Sequence, residues 1–119
     1  MKKIILDTNF LMAIGRFKID ILSELERICD FQFVVYIIDK TREELKKIDD
    51  INARLALSFI DMKNIREIRS DEDYVDATIL KRIGTDYVVA TLDKELKGRV
   101  KAKKVPVITI RKKSHLDWG

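Results

Sequence analysis

Four short runs of this chain are apolar, or nearly so, on both sides of an extended backbone: Ile4-Ile5-Leu6, Phe31 to Ile38, Tyr87 to Thr91 and Pro106 to Ile110. A strand with one face in water alternates apolar and polar residues; these do not, so both faces must be covered. Segments of helical character separate them. Asp20 opens a helix with Ile21, Leu22, Leu25, Ile28 and Cys29 at spacings of three and four. Thr41-Arg42-Glu43-Glu44 has the spacing of a capping box and predicts a helix through about Ile48. Asn52 can cap a helix carrying Leu55, Leu57, Phe59, Ile60 and Met62, and Ile65 to Ile68 can add a short strand. The acidic run Ser70 to Asp73 leads a helix ending near Gly84, a residue suited to a left-handed turn, and Asp93 starts another helix. Strand–helix alternation of this kind predicts an α/β fold with a parallel sheet covered on each side. The 119 residues suffice for one such domain, with no linker or repeat, and leave His115 and Trp118 as a tail.

Two residue counts exclude whole chemistries. Cys29 is the only cysteine, so an internal disulfide or a cysteine-based zinc cluster is ruled out. His115 is the only histidine, which removes two-histidine acid–base catalysis. Any catalysis falls to carboxylates, hydroxyls and cations. Net charge is +4, unevenly spread: residues 1–93 carry −3 and residues 94–113 carry +8. An acidic body with a basic final segment suggests an anionic partner approached from one side. No apolar run approaches the ~20 residues of a membrane span and no export signal is visible, so a cytoplasmic location without membrane attachment is expected.

In an open parallel sheet, ligands bind beyond the carboxyl ends of the strands. Asp7 directly follows the first apolar run, and Asp93 lies two residues after Thr91 at the end of another. Glu44 and Asp76 sit in helices that follow a strand and the acidic loop. Each has a structural explanation as a helix cap or a dipole partner. Gathered at one sheet edge, however, they would repel each other and call for protons or a divalent cation. An oxygen-only donor set suits Mg²⁺ or Mn²⁺, and metals held this way can activate water and stabilise phosphodiester cleavage.

The constellation resembles the PIN-domain nucleases, in particular the small VapC toxins of archaea and bacteria. Leu6-Asp7-Thr8-Asn9 looks like that family's opening motif, and Glu43-Glu44-Leu45 is similar to its second. Val75-Asp76-Ala77-Thr78-Ile79 looks like its third, and Val89 to Leu96 like its fourth, in which Thr91 and Asp93 flank the metal site. Val75 stands where many relatives carry a second acid, and Leu92 where Asn is frequent. The resemblance implies a three-layer α/β/α domain over residues 1–119, with a central parallel sheet of four to five strands. It also implies a Mg²⁺- or Mn²⁺-dependent endoribonuclease, often homodimeric and held inactive by a cognate antitoxin. Asp7 and Asp93 would then hold the metal, with Glu44 and Asp76 binding a second ion or its water, and Asn9 and Thr91 would orient them. Lys97, Arg99, Lys101, Lys103 and Lys104 would steer the RNA backbone.

Three other readings remain open on the residues. An aspartyl-phosphate phosphatase also places Asp after its first strand, but here Thr8-Asn9-Phe10-Leu11 follow rather than a second acid. A PIN-like ribosomal-RNA processing factor or a non-cleaving RNA-binding module would share most of these features.

Overall fold

The parity of the apolar runs sets the architecture. In the computed structural model, which describes residues 1–119, Ile4 and Leu6 of β1 (Lys2–Leu6) point to one core while Ile5 points to another. The same division holds in β2 (Phe33–Ile38), where Ile37 and Ile38 part company, and in β4 (Tyr87–Ala90), where Val88 and Ala90 oppose Val89. Doubly buried strands therefore serve two cores at once. The larger core lies beneath α1 (Thr8–Phe17), α2 (Ile21–Ile28), α3 (Lys40–Ile48) and α4 (Ile51–Met62). The smaller lies beneath α5 (Val75–Arg82) and α6 (Lys94–Ala102). These are the three layers of the expected α/β/α sandwich.

The sheet order is β3-β2-β1-β4-β5-β6, where β3 is Arg66–Ile68, β5 is Val107–Arg111 and β6 is His115–Trp118. The first five strands in this order are parallel, within the expected four to five. The sixth, β6, is antiparallel to β5 and corrects the reading of His115 and Trp118 as a tail. It is held to α2: Leu116 N donates to Glu24 Oε1 (2.9 Å) and Arg27 donates to the Leu116 carbonyl (2.6 Å). Trp118 Nε1 donates to the Ile28 carbonyl, and its ring lies 6.1 Å from that of Phe31. Those side chains cover the outer backbone edge that a terminal strand would otherwise leave open.

Other local expectations also change. Helix α3 begins at Lys40, before Thr41, with Asp39 as a helical N-cap residue making no side-chain cap bond. Thr41 is instead fully buried, so the capping-box reading fails. Asp50, not Asn52, caps α4 through Ala53 N at 2.8 Å. Helix α5 stops at Arg82 with Ile83 extended, and no glycine in the chain has positive φ, so Gly84 is not a left-handed cap. Helix α1, unannounced by its periodicity, is capped by Asp7.

Candidate active site

Strand order reverses at β1: the chain winds outward to β2 and β3 on one side and to β4 and β5 on the other. The crevice between the carboxyl ends of β1 and β4 is the place where open parallel sheets bind ligands. Leu6 pairs with Ala90, so Asp7 and Thr91 leave the sheet side by side. A cleft of about 520 Å³ opens there, and Asp7, Glu44, Asp76 and Asp93 all line it. The fold thus brings together the four carboxylates singled out from the sequence. No three acidic, histidine or cysteine side chains close into a ready-made ion cage.

Each carboxylate is held differently. Asp7, only 7% exposed, receives Thr8 N on Oδ1 (3.0 Å) and the Thr91 hydroxyl on Oδ2 (2.8 Å). Thr91 Oγ1 also accepts from Asp93 N (3.1 Å), so one buried hydroxyl positions two of the acids. Asp93 in turn caps α6, its Oδ1 accepting from Glu95 N (2.9 Å) and Leu96 N (3.1 Å). Its Oδ2 faces solvent without a protein hydrogen bond. Glu44 Oε1 accepts from Thr8 Oγ1, which lies 3.2 Å from Thr41 Oγ1. Because Thr8 spends its proton on Glu44, Thr41 is the donor in the pair, and a one-way relay runs Thr41 to Thr8 to Glu44. Asp76, exposed in the first turn of α5, accepts only from Ala77 N (2.9 Å).

Burial pushes the Asp7 carboxyl above its ordinary range. The bonds from Thr91 and Thr8 pull it back, while the charges of Glu44 and Asp93 push it further up. No lysine or arginine neutralises it. A buried carboxylate beside two others, with no lysine or arginine paired to it and carboxylate oxygens as its potential co-ligands, is a fitting place for a hard divalent ion.

The acidic loop resolves into separate roles. Asp71 and Glu72 pair with Lys81 at 3.1 and 3.3 Å, away from the cleft, whereas Asp73 lines it with Asp76. Asn9 lies at the cleft wall but makes no hydrogen bond to a carboxylate; the orienting bonds expected of it come from Thr8. Lys40 and Lys47 also line the cleft, and Lys40 Nζ donates to the Glu72 carbonyl (2.6 Å), tying α3 to the acidic loop. Their signal was present in the sequence: at four before and three after Glu44, they share its helix face. Of the basic residues expected to guide RNA, Arg99 is paired with Glu95 at 2.7 Å. Lys101, Lys103 and Lys104 lie at the opposite end of α6, about 13 Å of helix from Asp93.

The protein is a parallel α/β sandwich with an acidic cleft at its strand-order reversal, where open parallel sheets bind their ligands. Residues 4–113 match the family described as PIN like domain. The chain is also 31% identical to Ribonuclease VapC4 of Methanocaldococcus jannaschii over 98% of its own length and 96% of the relative's. Among solved structures it is similar to that of the PIN domain endonuclease Utp24, with a TM-score of 0.85 and 26% identity. That match covers 98% of this chain and 90% of the other. The chain belongs to the PIN-like domain family, as its four motifs led one to expect. No helix is long and apolar enough to cross a membrane.

Proposed function

We propose that the chain is a divalent-metal-dependent endoribonuclease that hydrolyses RNA phosphodiester bonds in this cleft, acting as the toxin of a toxin–antitoxin pair. The observation that carries the chemistry is Asp7: buried, beside Glu44 and Asp93, and bonded by neutral donors alone. Asp7 and Asp93 would hold Mg²⁺ or Mn²⁺, with Glu44 and Asp76 completing the oxygen set or binding its waters. The ion, when bound, would lower the pKa of water and neutralise charge growing on phosphate oxygens.

The chain's own residues supply orientation. Thr91 fixes the rotation of Asp7 and the backbone of Asp93, and Thr8 holds one oxygen of Glu44. Glu44 Oε2 is left to accept a proton from water in the cleft. Lys47, on the same helix face, can meet a phosphate oxygen. The similarity to Ribonuclease VapC4 supports an RNA substrate. An antitoxin partner, a homodimer and a cytoplasmic site of action belong to the proposal as what the resemblance to the VapC toxins implies. A second reading, an RNA-processing factor with no antitoxin, is favoured by the likeness to Utp24, a PIN domain endonuclease.

The test is cleavage of mixed-sequence, end-labelled RNA by wild type and by Asp7→Asn with Mn²⁺, Mg²⁺ or EDTA. Cutting that needs the metal and disappears in the variant supports the nuclease. A folded, metal-supplied wild type that leaves RNA intact sinks it. Capture of RNA without cutting would point to a binding module.

A further inference from the structure

A second depression, of about 310 Å³, adjoins the acidic cleft and shares Asn9 with it. Met12, Arg16 and Phe17 of α1 form one wall, and Leu92 contributes from the end of β4. The β5–β6 hairpin stands on this same edge of the sheet. Ile108 is level with Ala90, so the turn after Arg111 projects about 10 Å beyond Thr91. Lys112 and Lys113 occupy the turn, and Lys113 Nζ lies 6.0 Å from the Phe17 ring centre. The Arg16 guanidinium is 5.6 Å from the same ring, and Lys18 follows as the cap of α1. Arg16, Lys18, Lys112 and Lys113 are all exposed, and none is paired with an acid.

Helix-dipole stabilisation accounts for Arg16 and Lys18 at the end of α1. It does not account for the hairpin. Lys112 and Lys113 both adopt left-handed backbone, φ 53° and 54°, where Asn-Gly is the favoured pair and lysine is strained. Single left-handed lysines also stand at Lys18 and Lys104; the hairpin differs in having two in succession, at a turn where uncharged residues fit better. An RNA strand entering a cleft lined by carboxylates needs cations outside that cleft to hold its phosphates.

We propose that this shoulder, Arg16, Lys18, Lys112 and Lys113, is the track along which single-stranded RNA leaves the acidic cleft, its phosphates held across α1 to the hairpin. The proposal rests on the reading of the cleft as an RNA-cleaving site. It replaces the far end of α6, at Lys101, Lys103 and Lys104, as the RNA-guiding surface.

The test pairs K112N/K113G with K103N/K104G in the full-length protein. The first double variant installs the favoured turn residues, so it should melt no lower than wild type, and a binding defect cannot be blamed on misfolding. Binding of a labelled long single-stranded RNA in EDTA should weaken about tenfold at 0.1 M salt. The slope of log affinity against log salt should shrink by about 1.4, two single-strand contacts' worth. In metal, KM for the long RNA should rise with kcat unchanged, while turnover of a trinucleotide stays at the wild-type level. The K103N/K104G variant should change none of these. An unchanged slope in K112N/K113G, or equal losses in both variants, overturns the track. If wild type cuts RNA and the slope does not move, the track falls and the cleavage reading stands. If the slope moves but wild type never cuts, the track stands and the cleavage reading falls.

Discussion

The two halves of the acidic cleft are built on opposite physical terms. Asp7 and Glu44, on the side of the larger core, are buried or half-buried and held by threonine hydroxyls. Asp76 and Asp93, on the side of the smaller core, are exposed and held by backbone amides at the first turns of α5 and α6. The first arrangement sacrifices stability to fix a charge in place. The second costs little, because an exposed carboxylate at a helix start is favourable on its own account, whereas Asp7, though it also caps a helix, is buried. Function and stability should therefore separate in one half and coincide in the other.

The sharpest way to break that contrast is Asp7→Asn. Its cleavage should fall at least about 10³-fold, the scale of losing a few kcal/mol of charge stabilisation, while its melting temperature holds or rises. The pH dependence has a definite sign. With the folded carboxyl raised above its unfolded value, the stability it contributes is present below the ordinary carboxylate range. That contribution is lost as pH rises through the raised value. Urea melts in EDTA should show this decline in wild type and not in Asp7→Asn. A variant clearly less stable than wild type at neutral pH would contradict it.

Asp93 should behave differently. Asp93→Asn and Asp93→Ala should both lose cleavage, but only the alanine variant should also lose about 1 kcal/mol, since Asn caps a helix as well as Asp does. Thr91→Val comes next. It strips a buried hydroxyl that serves Asp7 and Asp93 together, so about 1–3 kcal/mol of stability should go, with Thr91→Ser restoring both stability and rate. Thr8→Val should cost cleavage about tenfold by releasing Glu44, a change visible in kcat rather than KM. The smallest effect belongs to Asp71→Asn, which only loosens an exposed pair with Lys81. Cleavage within twofold of wild type and stability within about 0.5 kcal/mol are expected. A large loss there would move the acidic side of the cleft from Asp73 and Asp76 to Asp71.

The site was more legible than several of its supports. Asp7 and Asp93 stood out because a carboxylate directly after a doubly buried strand has a predictable location in a parallel sheet. Thr8 was invisible as a functional residue, since its hydroxyl acquires meaning only when α3 brings Glu44 and Thr41 against it. The Thr41–Glu44 spacing invited a local explanation, a capping box, and a long-range contact prevailed. Asn9 and Thr8 are polar neighbours in the motif and indistinguishable before folding, and it is Thr8 that bonds the carboxylates. The basic segment showed the same limit: contiguous along the chain, its members scatter to both ends of α6 and to the hairpin.

β6 makes the point in the fold. His115 to Trp118 alternates polar and apolar residues over only four positions, too short a run to announce a strand, and Lys112-Lys113 carries no turn signature, yet the segment pairs with β5 because Glu24, Arg27 and Phe31 supply partners from elsewhere. The amino-acid sequence alone determined the features that local pattern dictates: strands apolar on both faces, the α/β layering they require, and carboxylates at their carboxyl ends. Tertiary structure alone decided which hydroxyls orient those carboxylates, which acids turn inward and where the unpaired cations gather. Hydrophobic periodicity is written along the chain, whereas hydrogen bonds and charge clusters form between residues that only folding brings within a few ångströms.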